Sequence, residues 1–131
     1  MSGEKGFTLL EIVIALSIFA VGLLAVATMQ ISAIRGNRVG NEYSRATALA
    51  QMQIESLKSA DFDSAALAAG NYADANNPIN ETGAAGGIFT RTWAIANNTT
   101  FSRRATVTVG WSIAGANRSV VMSTLTRGGG N

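Results

Sequence analysis

Between Ile12 and Ile34 the chain carries no charged residue and no proline. As a helix this stretch would be about 34 Å long, enough to cross a hydrocarbon core of about 30 Å. Its apolar residues fall on every side, an arrangement stable only in lipid or among other helices. In the wider stretch from Phe7 to Ile34 the single charge is Glu11. A secretory signal would have an apolar core of about 7–15 residues and a small-residue cleavage site behind it. Here the run is longer, and its far edge, Met29-Gln-Ile-Ser-Ala-Ile-Arg35, offers no compelling site of that kind. The run therefore predicts a helix embedded in a membrane or a helical bundle.

Helical periodicity continues past it. Val39, Tyr43, Ala46, Ala50, Ile54 and Leu57 recur at spacings of three and four, one apolar stripe. Arg38, Asn41, Glu42, Arg45, Gln53 and Lys58 are assigned to the opposite, polar face. The pattern predicts one helix over residues 7–60, apolar all round in its first half and amphipathic in its second. Gly36 and Gly40 weaken the junction by about 1 kcal/mol each, so a bend or local melting is expected there. Residues 70–87, rich in Gly, Asn and Ala and holding the single proline, Pro78, read as a long loop.

The last third reads as antiparallel strands over 88–95, 104–113 and 119–126. The middle one is clearest, because Val107, Val109, Trp111 and Ile113 alternate with Thr106, Thr108, Gly110 and Ser112. Residues 114–117 form the turn of a hairpin, and residues 127–131 are a tail without packing potential. The expected fold class is α+β, a long N-terminal helix packed by its second half against an antiparallel sheet of about three strands. Each needs the other to cover its apolar face.

Composition narrows the chemistry. The chain has no cysteine and no histidine, which removes thiolate chemistry and the commonest general base and metal ligand. An enzyme is disfavoured, and no cofactor or metal is expected. A net charge of +2 is too small to indicate nucleic acid. Arg91, Arg103, Arg104, Arg118 and Arg127 could form a basic patch on the sheet, but solvated strand and turn arginines are the plainer account. Asp61 and Asp63 lack the further ligands of a calcium loop and read as helix-end polar residues. Trp93 and Trp111 are expected between sheet and helix.

One motif is specific: Lys5-Gly6-Phe7-Thr8-Leu9-Leu10-Glu11 ahead of the uncharged helix. A carboxylate inside a membrane-length run is costly, and marks a functional position by default. The motif resembles the class III signal of type IV prepilins and pseudopilins. The resemblance implies cleavage between Gly6 and Phe7 by a membrane aspartic prepilin peptidase, followed by N-methylation of Phe7. It implies that Glu11, with Thr8 beside it, serves subunit assembly by pairing with the new Phe7 amine of a neighbouring subunit. A carboxylate buried among apolar helices is tolerable when paired in this way.

Further segments, Val21–Gln30, Ala48–Leu57, Thr106–Trp111 and Arg118–Leu125, look like those of pilus-modification (PilV-type) minor pilins. Major pilins commonly carry a kinking proline in the apolar helix and a C-terminal disulfide loop. This chain has Thr28 and no cysteine, which favours a minor pilin or a pseudopilin. The resemblance thus implies a non-catalytic filament subunit that primes, assembles or modifies a type IV pilus, with effects on adhesion or motility. A pseudopilin of a type II secretion system is the alternative, and a DNA-uptake competence pilin a weaker one. Implied partners are the prepilin peptidase, other major and minor pilins, the inner-membrane assembly platform and, before assembly, the lipid bilayer; nucleic acid is disfavoured. The implied layout is a leader at 1–6, a transmembrane and assembly segment at 7–34 and a periplasmic head at 35–131. The basic residues Arg35 and Arg38 behind the helix outnumber Lys5, which Glu4 offsets. By charge alone the orientation would be the reverse; the specific motif is followed instead, with the leader in the cytoplasm.

Overall fold

The computed structural model describes Gly3 and residues 5–127. Met1, Ser2 and Glu4 of the expected leader and residues 128–131 of the expected tail lie outside the described residues. Helix α1 spans Leu9–Ser59, close to the expected 7–60. No proline interrupts it. The expected melting at Gly36 and Gly40 does not occur, since helix continues through both. Two glycines cost little against the propagation of so long a helix.

By its contacts the chain divides into two compact units, residues 1–40 and 41–131. The first unit is helix and little else. Every side chain from Leu9 to Ile34 is exposed within the protein, and the segment is long and apolar enough to cross a membrane. Two of its hydroxyls are satisfied internally. Ser17 Oγ donates to the Val13 carbonyl at 2.7 Å and Thr28 Oγ1 to that of Ala25 at 2.8 Å. Neither needs water, as a helix in an apolar medium requires.

In the second unit the helix buries Glu42, Ala46, Leu49, Ala50, Ile54 and Leu57. The stripe is rotated slightly from the one read in the sequence. Leu49 joins it, Tyr43 is only partly covered, and Glu42, assigned above to the polar face, is buried. Glu42 lies four residues before Ala46 and hence on the same line of the helix.

Against this face lies a four-stranded antiparallel sheet of strand order β1-β2-β3-β4. The strands are β1 (Gly70–Ala73), β2 (Thr90–Thr99), β3 (Ser102–Ile113) and β4 (Ala116–Arg127). This corrects the expected three strands and the loop over 70–87. β1 holds one large apolar residue, Tyr72, so it shows no period-two signal in sequence. It is fixed by partners instead. Tyr72 stacks on Trp93 at 6.0 Å, and its hydroxyl donates to the Ala68 carbonyl at 2.7 Å.

The remainder of the expected loop folds back on itself. Ile79 bridges to Ala85 and Phe89, and Ile79 and Phe89 are both buried in the core. Asn80 Oδ1 accepts from the Thr82 and Ala84 amides at 2.9 and 3.0 Å, holding the tip. The β3–β4 hairpin turns on two residues, Ala114 and Gly115, both at positive φ (49° and 81°). β4 therefore begins at Ala116, earlier than the expected 119.

The core face of the sheet alternates as read. Ala105, Val107, Val109 and Trp111 are buried. Trp111 is in edge contact with Tyr43 of α1 at 4.9 Å and with Phe89 at 5.7 Å. Trp93 sits at the rim of the same core, partly buried. Each large side chain fully buried in this way contributes about 1.5–3 kcal/mol, which is what holds α1 to the sheet.

Candidate functional site

The residues singled out in the sequence, Gly6, Phe7, Thr8 and Glu11, meet at the start of α1. Gly6 and Phe7 precede the helix, and Phe7 is 82% exposed. A side chain added at Gly6 would meet nothing within 4 Å. The fold therefore places no demand for glycine at this position.

Thr8 is the residue before the helix, and Glu11 stands three residues on. The Glu11 amide donates to Thr8 Oγ1 at 3.2 Å, and the Thr8 amide donates to Glu11 Oε2 at 3.3 Å. This reciprocal pair is a capping box, in which two otherwise unsatisfied N–H groups of the first turn find partners. The carboxylate also faces the positive end of the helix dipole. The reading of the sequence missed this local role, although Thr-x-x-Glu before an apolar run is its signature. Along the helix, Phe7, Ile12, Ala15, Leu16 and Phe19 surround Glu11 with apolar surface. Glu11 is thus a capped carboxylate in an otherwise apolar stripe, exposed within its own chain.

The five arginines, read as solvated strand and turn residues rather than one patch, differ in their surroundings. Arg91 is buried, with its guanidinium Nη2 2.5 Å from Asp74 Oδ2 and its Nη1 donating to the Leu49 carbonyl at 3.1 Å. Asp74 is held below the ordinary aspartate range. The Asn76 amide donating to its Oδ1 at 2.9 Å is the main cause and Arg91 reinforces it, against the opposing effect of burial. Arg103 lies over the Phe62 ring at 4.7 Å and donates to Asn97 Oδ1. Arg104 and Arg127 are exposed, and Arg118 is half-buried. Asp61 ends in a turn, its carbonyl accepting from Ser64. Among the described residues no group of three or more acidic, histidine or cysteine side chains is placed to hold a metal.

An open shelf of about 460 Å³ lies beside β1 on the far face of the sheet. Asn71, Ala73, Thr92, Ala94, Thr106 and Thr108 line it with Tyr72 and Trp93. None of these is an acid or base suited to catalysis near neutral pH.

Compared with known proteins, the chain matches the prokaryotic N-terminal methylation motif over residues 1–27. That span contains Gly6, Phe7, Thr8, Glu11 and most of the apolar helix. No curated protein and no solved structure matches the chain. Proteins bearing this motif are structural filament subunits, and the motif implies processing by a prepilin peptidase and assembly with other pilins. The apolar helix is consistent with membrane anchoring. Motif, apolar helix and helix-on-sheet layout together support a type IV pilin-like protein.

Proposed function

We propose that the protein is a minor pilin, a non-catalytic subunit that primes, assembles or modifies a type IV pilus. The observation that carries this reading is the junction at Gly6–Glu11, a peptidase-type motif on an exposed segment directly ahead of a capped, membrane-length helix. In this reading residues 1–6 are a cytoplasmic leader. Residues 7–34 first cross the inner membrane and later enter the filament, and residues 35–131 form the periplasmic head. Prepilin peptidase cuts between Gly6 and Phe7, and the new Phe7 amine is methylated. Glu11 then pairs with the Phe7 amine of a neighbouring subunit as the helix passes from lipid into a bundle. Pairing lowers the cost of holding a carboxylate among apolar helices. The absence of both a kinking proline and a cysteine favours a minor over a major subunit.

A pseudopilin of a type II secretion system shares the same N-terminal machinery and is the second reading. The same absences support it equally. Deleting the gene separates the two, by loss of pili or loss of secretion.

The primary test is intact mass and N-terminal sequencing of membrane-derived protein, with and without prepilin peptidase, beside Gly6→Ala. Because Gly6 has open space around it, the substitution leaves the fold intact and reports on processing alone. A mature chain beginning at methylated Phe7, absent in both controls, supports the reading. A chain retaining its leader in a competent host would falsify it.

A further inference from the structure

The sheet ends on β4, whose outer edge has no neighbouring strand among the described residues. The two edges of the sheet are unlike. β1 has 4 residues and β4 has 12. Proteins usually blunt a long edge with proline, a bulge or inward charges, because its unpaired N–H and C=O groups invite another strand. β4 has no proline and no bulge, and its one inward charge is Arg118, half-buried near the start of the strand. Its register with β3 is uninterrupted, and Ser119 to Thr126 contains neither a charge nor a proline.

The register identifies which groups are free. A two-residue turn closes on a hydrogen-bonded pair, here Ile113 and Ala116. From there the pattern alternates. Even-numbered residues of β4 bond to β3, while Ser119, Val121, Ser123 and Leu125 direct their N–H and C=O groups outward. The side chains of these four lie on the sheet face away from α1, where Val121 is 59% and Leu125 48% exposed. The edge thus offers hydrogen-bonding groups and apolar contacts together.

Charge selects among occupants. No aspartate or glutamate follows Glu81, whereas five arginines do. Asp74 neutralises Arg91. Arg104 stands opposite Leu125, and Arg127 is two residues beyond, both exposed on the outer face. A second copy of this chain would bring the same uncompensated positive charge, while a strand bearing carboxylates would be attracted.

We propose that the free edge of β4 is a strand-addition site, accepting as a fifth strand an extended segment of a partner protein in which apolar residues alternate with aspartate or glutamate. The proposal stands on the sheet alone and is independent of N-terminal processing.

The test uses the full chain in detergent micelles and a synthetic peptide of about ten residues alternating valine with glutamate, a typical strand length. Binding is followed by fluorescence anisotropy and by amide hydrogen exchange. The peptide should bind and protect the amides of Ser119, Val121, Ser123 and Leu125, and a valine–lysine peptide should bind at least about tenfold more weakly, a difference of about 1.4 kcal/mol. Ser123→Pro removes one outward N–H at a position where an edge strand tolerates proline. It should weaken binding by a similar factor with thermal unfolding unchanged. The double variant Arg104→Glu/Arg127→Glu, confined to exposed side chains, should do the same and decides the matter if Ser123→Pro fails to fold. Equal binding of oligoglutamate would mean charge alone and overturn the proposal. So would no binding, full binding by the double variant, or a concentration-dependent dimer that protects the same four amides.

Discussion

Arg91 and Asp74 form a 2.5 Å ion pair whose side chains are only 10% and 11% exposed, and the same guanidinium donates to the Leu49 carbonyl of α1. One residue of β2 is thereby tied both to the segment after β1 and to the helix. Removing one partner of a buried pair leaves the other uncompensated, at a cost of about 3–5 kcal/mol. Asp74→Ala is expected to destabilise the second unit by that amount in denaturant unfolding.

Asp74 also carries an acid dependence. The Asp74 carboxyl titrates below its ordinary range in the folded protein, chiefly through the Asn76 amide and then through Arg91. A group with a depressed folded pKa contributes stability that is present above its unfolded value, about 3.9 for aspartate. The contribution is lost as pH falls from there through the folded value. Unfolding measured across that window should show a decline that is smaller in Asp74→Asn, which has no carboxyl to titrate. An identical decline in the variant would remove Asp74 as its source.

Gly87 is constrained by backbone on its open side. A Cβ there would overlap the carbonyl carbon and oxygen of Ile79 and the Cα of Asn80, and backbone cannot swing aside as a long side chain can. Ile79 is itself fixed by paired hydrogen bonds with Phe89 of 2.7 and 3.0 Å. Gly87→Ala should destabilise by about 1–3 kcal/mol, the usual range for overpacking. Gly6→Ala, with free space around it, should leave unfolding unchanged. Equal effects of the two substitutions would contradict the geometry.

These residues mark where sequence was informative. The length of α1, the alternation of β3 and the Gly6–Glu11 motif are all carried by periodicity or local spacing, and each was legible. β1 and the fold-back around Ile79 were not. Their stability comes from contacts distant in sequence, such as Tyr72 on Trp93 and Ile79 on Phe89, and their Gly- and Asn-rich composition is that of a loop. The phase of the buried helix stripe was misjudged for the same reason. A charged Glu42 reads as solvated until the sheet that covers it is known. Arg91 reads as one surface arginine among five until Asp74, 17 residues earlier, is placed beside it.

The hairpin turn is a site where the chain is less than optimal. Ala114 adopts φ 49° ahead of Gly115 at φ 81°, a pairing with positive φ at both positions that favours Asn-Gly. An alanine in the left-handed region costs roughly 1–2 kcal/mol that asparagine largely avoids. Ala114→Asn is expected to stabilise by about 1 kcal/mol, raising the melting temperature by about 4–8 °C for a unit of this size. A lower melting temperature would show that Ala114 makes contacts beyond the turn.

The capping box allows the two roles of Glu11 to be separated. Glutamine can also close a capping box, so Glu11→Gln should keep the first turn of α1 while removing the charge. Thr8→Ala removes the cap and keeps the charge, at a cost of about 1 kcal/mol to the start of the helix. Hydrogen exchange at the Glu11 and Ile12 amides should therefore quicken in Thr8→Ala and stay slow in Glu11→Gln. If Glu11 serves assembly through its charge, filament incorporation follows the opposite order, lost in Glu11→Gln and largely kept in Thr8→Ala. Incorporation that instead tracks amide exchange would make the carboxylate a helix cap and nothing more.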